Sequence, residues 1–73
     1  MQILPLEKSV LNAMNFLVKN NPKEFQIIQR NNRTVFQQMQ EIHMGLDVGT
    51  RMWIDVLEVD YKKNVVFQVD ELQ

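Results

Sequence analysis

Apolar residues recur every three or four positions from the first residues onward. Leu6, Val10, Ala13, Met14 and Leu17 fall on one stripe at 100° per residue, and Leu11, Phe16 and Val18 widen it beyond half the circumference. The spacing predicts a helix over about residues 5–19, with Pro5 in its first turn and Asn20-Asn21 closing it ahead of Pro22. A second start follows at once: Asn21 as N-cap, Pro22 at the first helical position and Glu24 placed to bond back to the cap. Phe25, Ile28, Asn32, Val35, Phe36, Met39, Ile42 and His43 then share one face at helical spacing, and Gly45 stands where a left-handed cap belongs. This predicts one continuous helix over 22–44. A competing reading makes Asn31-Asn32 the type I′ turn of a hairpin between Phe25–Arg30 and Arg33–Gln40. Period two would mix Gln with apolar residues on both faces, so the helix is preferred.

After Gly49 the pattern changes. Residues 50–61 and 65–69 are rich in β-branched and aromatic side chains around the polar Lys62-Lys63-Asn64, which predicts a β-hairpin. A three-residue loop with a left-handed Asn64 would pair Tyr61 with Val65, Val59 with Phe67 and Leu57 with Val69, with Trp53 continuing that face. Gln2–Leu4 could add a short third strand. The expected fold class is α+β, two N-terminal helices packed on a C-terminal antiparallel β-hairpin (ααββ). The alternative is one N-terminal helix followed by a four-stranded antiparallel meander. Two strands alone leave both edges unpaired, so dimerisation is expected to complete a larger sheet.

Size sharpens that expectation. The chain has 73 residues and reads as a single domain; at about that length only some 60% of the unfolded surface is buried, which leaves little margin. It has no cysteine, so no disulfide can make up the difference. Nine acidic and eight basic side chains give a net charge of −1, which provides no long-range attraction for nucleic acid or an anionic membrane. No apolar run approaches the ~20 residues of a membrane span and the N-terminus has no signal-peptide pattern, so the expected location is the cytoplasm. Eight Gln and seven Asn make amides the compositional peculiarity.

Candidate chemistry is sparse. His43 with Asp47 is half of a metal site, and no second histidine or cysteine could complete it. Ser9, the only serine, falls on the polar side of the first helix while His43 belongs to the buried stripe, which argues against a triad. Asp55, Glu58 and Asp60 are expected on a solvated strand face. Two glycines cannot write a phosphate loop. The reading is a non-enzyme with no cofactor and no metal.

Residues 48–69, VGTRMWIDVLEVDYKKNVVFQV, resemble the last strand pair of OB-type RNA-binding domains of the ribosomal-protein kind. The matching positions, Val48, Gly49, Ile54, Val56, Val59 and Asp60, build a hairpin and are not RNA contacts, so the resemblance implies a strand pair and carries no function. A winged helix is the other nucleic-acid reading, with 22–30 and 33–44 as helix-turn-helix, Arg30 and Arg33 on phosphates, Gln37 or Gln38 on adenine edges, and Lys62-Lys63 at a wing tip. The unbroken stripe and the pI of about 5.7 weigh against it. The preferred function is a small binding or regulatory protein acting through protein contacts and forming a homodimer. Its expected partner surface is the outer side of the second helix: Gln26, Arg30, Arg33, Gln37 and Gln40, beside Gln29 and Glu41. Leu11, Phe16 and Val18 on the first helix are the apolar alternative for closing a dimer.

Overall fold

Asn31 and Asn32 decide the architecture, because both are left-handed, with φ of 51° and 64°. A right-handed helix cannot pass through two such residues, whereas a type I′ turn requires them. The computed structural model describes residues 2–43 and 49–69, in the order β1 (Gln2–Pro5), α1 (Lys8–Asn20), β2 (Phe25–Arg30), β3 (Arg33–Ile42), β4 (Thr50–Asp60) and β5 (Val65–Gln68). The strands form one antiparallel sheet in the order β1-β5-β4-β3-β2. The expected ααββ arrangement is therefore corrected. There is one helix, the segment predicted as a continuous second helix is a hairpin, and the alternative of one helix with a four-stranded meander describes β2 to β5. The short N-terminal strand is the fifth, paired with β5.

The helical stripe in 25–43 arose because both faces of this hairpin carry apolar side chains. Phe25, Ile27 and Phe36 lie beneath α1, whereas by strand alternation Ile28, Val35 and Met39 occupy the other face. Superimposed, the two period-two patterns look like one of period 3.6. Glutamines on both faces are tolerated because they bond in pairs. Gln26 Nε2 donates to Gln37 Oε1 at 2.6 Å on the open face, and Gln29 Nε2 donates to Thr34 Oγ1 at 3.0 Å on the other. The Asn21-Pro22-Glu24 signal makes a single turn, in which the Asn21 carbonyl accepts the N–H groups of Glu24 and Phe25, both at 3.0 Å.

Pro5 ends β1 at the sheet edge, where its missing N–H costs nothing, and the helix starts three residues later than predicted. Val10, Leu11, Met14, Leu17 and Val18 pack on the sheet against Phe36, Val59 and Val66. The rings of Phe25 and Phe36 stack at 5.4 Å. The sheet covers most of the wide helical stripe and leaves Phe16 outside, 65% exposed. No helix among the described residues is long and apolar enough to cross a membrane.

Two details of β4 also correct the expected register. The turn spans four residues, Tyr61–Asn64, because Asp60 Oδ1 accepts the N–H groups of Lys62 and Lys63 at 3.1 and 3.2 Å. Asn64 is left-handed, φ 53°, as predicted, but the pairs are Asp60 with Val65, Val59 with Val66 and Leu57 with Gln68. A bulge then places Leu57 opposite Phe36 but Asp55 opposite Gln37, leaving Val56 as the extra residue. Alternation is reversed beyond it, so Trp53 pairs with Met39 on the face away from the helix and not on the core face.

Candidate functional site

With α1 on one side, the opposite face of the sheet is open. From β2 to β5 it carries Gln26, Ile28 and Arg30; Arg33, Val35, Gln37, Met39 and Glu41; Arg51, Trp53, Asp55, Glu58 and Asp60; then Val65 and Phe67. Its centre is a bonded polar cluster. Asp55 accepts from Gln37 Nε2 at 2.7 Å through Oδ1 and from Arg30 Nη1 at 2.6 Å through Oδ2, and Gln37 in turn accepts from Gln26. Arg30 is on β2 and Asp55 on β4, so this ion pair crosses β3 at the level of Val35. That valine is fully buried although no helix lies over it, consistent with long polar side chains covering apolar surface with their stems.

Burial pushes the Asp55 carboxyl up, while the bonds from Gln37 and Arg30 and the Arg30 charge push it down. The balance leaves it below its ordinary value of 3.8. Arg33 lies 4.3 Å over the Phe67 ring and reaches Glu58 and Asp60 at 3.8 and 3.9 Å. No buried side-chain polar atom among the described residues lacks a partner. Asp55, Glu58 and Asp60 are thus held by two arginines, and Glu41 lies 3.6 Å from His43.

Of the predicted partner residues, Gln26, Arg30, Arg33 and Gln37 are brought together on the open face, on two paired strands instead of the outer side of a helix. Gln37 is only 5% exposed, so it is a structural member of the cluster. Gln40 is separated from them by strand alternation and bonds Gln38 Oε1 at 3.3 Å. Lys62 and Lys63 are exposed in the β4–β5 turn, at the same end of the sheet as the Asn31-Asn32 turn. All four basic residues of the nucleic-acid reading therefore share one end, but both guanidiniums are engaged with acids. With strands in place of two helices there is no helix-turn-helix.

His43 is exposed at the end of β3, 3.6 Å from Glu41, and not on a buried helical stripe. Gly45, Asp47, Asp70 and Glu71 lie outside the described residues. Among those described, no group of three or more His, Asp or Glu could hold a metal ion. Ser9 is exposed near the start of α1, with its hydroxyl 3.4 Å from Glu7.

The feature sequence reasoning missed is at the opposite end. β2 reaches only to the level of Gln38, where the Met39 N–H bonds the Glu24 carbonyl at 2.7 Å, and β5 ends where Val69 N–H bonds the Val56 carbonyl at 3.0 Å. Met39–Ile42 and Thr50–Asp55 continue as a two-stranded arm, with no further strand on either outer edge among the described residues. The arm carries Met39 opposite Trp53, Gln40 opposite Met52 and Glu41 opposite Arg51. It lengthens the molecule to 43 × 27 × 20 Å, with a radius of gyration of 13.4 Å where a compact chain of this length would have about 11 Å. Gly49 stands at its end with φ 100°, and a Cβ there would meet the His43 ring at 2.6 Å. No local sequence signal marks the arm, which arises because β3 and β4 extend beyond the described parts of both neighbouring strands.

Compared with protein-family models, curated proteins and solved structures, the chain matches none. The geometry alone carries the functional reading.

Proposed function

We propose that this protein is a non-enzymatic contact module that engages another polypeptide with its arm. The observation that supports this is the pair of strand edges that no other described strand covers, on a projecting hairpin that also displays Met39, Met52 and Trp53. Exposed strand edges pair with extended chain through main-chain bonds, and alternate side chains supply specificity. Tryptophan and methionine are favoured contact residues. Trp53 and Met39 adjoin Gln37 and Asp55 on the open face, so the contact surface extends from the arm toward Gln26 and Arg30.

The test is recovery of the tagged protein from cell extract after nuclease treatment, beside variants Met52→Lys and Met39→Lys. A stoichiometric protein band that both variants lose is the expected result. Material that absorbs at 260 nm, with salt-sensitive binding to random oligonucleotides that depends on Arg30, Arg33, Lys62 and Lys63, would replace this reading with the nucleic-acid one.

A further inference from the structure

The arm edge of β4 is self-complementary. We infer that it pairs with the same edge of a second copy, antiparallel and two-fold, with Trp53 on the axis. This rests on the arm being the contact element and names its occupant. A two-fold axis through Trp53 sets Arg51 opposite the partner's Asp55, Met52 opposite the partner's Ile54, and Trp53 opposite its own copy. Directly opposed residues of an antiparallel pair share a face and sit about 4.5–5.5 Å apart. Arg51 and Asp55 lie on the open face with Trp53, so two opposite-charge pairs would flank the stacked indoles, and the apolar Met52–Ile54 pairs would close the other face.

Both members of the charge pair have capacity left. Arg51 is exposed and makes no ion pair with another described residue. Asp55 accepts from Gln37 Nε2 and Arg30 Nη2 through Oδ1 and from Arg30 Nη1 through Oδ2, all from the β2 side, which leaves about one of its four acceptor positions. Charge also selects the register. Moving the axis to Arg51 would oppose two like charges, and moving it to Met52 would set Arg51 against Trp53 and leave Asp55 without a cation. Moving it to Ile54 would drive the partner strand into the lane that β5 occupies beside Leu57–Asp60. Only the Trp53 axis satisfies both charges, and it needs only residues 51–55, the stretch the described part of β5 leaves bare.

Sedimentation velocity over micromolar to millimolar concentrations is the direct test. The wild type should move from 8.7 kDa toward twice that mass. Arg51→Asp, an exposed change that sets an acid opposite the partner's Asp55, should weaken association about tenfold or more, and Arg51→Lys should retain it. The chain has no cysteine, so Trp53→Cys should give an intermolecular disulfide on mild oxidation, the opposed Cα atoms lying within the roughly 4.4–6.8 Å a disulfide spans. Gln26→Cys, on the far edge of the sheet, should not. A mass of 8.7 kDa throughout overturns the inference, and if Met52→Lys and Met39→Lys still abolish capture of another protein, the arm reading survives it. A dimer indifferent to Arg51→Asp and cross-linked through Gln26→Cys overturns it equally.

Discussion

Replacing Asp55 by alanine removes the acceptor at the centre of the open face. Its Gln37 partner is 5% exposed, so the freed amide N–H has no water to turn to, and stranding such a donor costs about 1–3 kcal/mol. The Arg30 side chain is 45% exposed and rehydrates, so the loss of its ion pair adds at most about 1 kcal/mol. The expected total for Asp55→Ala is about 2–3 kcal/mol. Asp55→Asn can still accept from Gln37 and should lose only about 1 kcal/mol. The two variants separate further with pH. The folded carboxyl titrates below 3.8, its ordinary value in the unfolded chain. Its contribution is complete above 3.8 and is lost as pH falls through the folded value, because the unfolded state binds the proton first. Urea unfolding followed by Trp53 fluorescence, at one protein concentration from pH 7 to pH 2, gives both quantities. The gap between wild type and Asp55→Asn should narrow below pH 3.8, while Asp55→Ala remains less stable than either. A loss under about 0.5 kcal/mol for Asp55→Ala, or a wild-type to Asn gap that acid leaves unchanged, would refute the reasoning.

Val35→Ala should cost about 1.5–3 kcal/mol by the same unfolding assay, since a fully buried side chain loses two carbons and leaves a cavity. Asn32→Gly should leave stability unchanged or raise it, because φ is 64° there; a loss of about 1 kcal/mol, the cost of glycine within a helix, would restore the helical reading of 22–44. Gly49→Ala meets both a positive φ and the His43 ring, and should accelerate amide exchange in 39–42 and 50–53 while leaving Val59 and Val66 protected. Phe16→Ser should change stability by less than about 0.5 kcal/mol, the side chain being 65% exposed.

The helix, the β4–β5 hairpin and the left-handed Asn64 are legible because each is fixed by local chemistry: a stripe, β-branched runs, a turn residue. Asn31-Asn32 carried the β2–β3 turn just as plainly. The apparent helical phase of Phe25, Ile28, Val35 and Phe36 outweighed it, since period analysis presumes one buried face and this hairpin has buried residues on both. The bulge at Val56 has no local signature, and it alone turns Trp53 away from the core face. At the site, Gln26, Arg30, Arg33 and Gln37 were recognisable as side chains that act together. Their anchor, Asp55, lies 25 residues from Arg30 and 18 from Gln37, a separation that spacing rules for a single element do not reach. The arm is a difference in strand length between neighbours, visible only once the pairing is known.

Amide hydrogen exchange by NMR, comparing dilute protein with protein at high concentration or bound to its captured partner, tests the arm as contact surface most directly. The account predicts new protection concentrated in Thr50–Asp55, with the outer edge of β2, Phe25–Arg30, exchanging as before. Protection confined to Phe25–Arg30, or to the Tyr61–Asn64 turn, with Thr50–Asp55 unchanged, would contradict it.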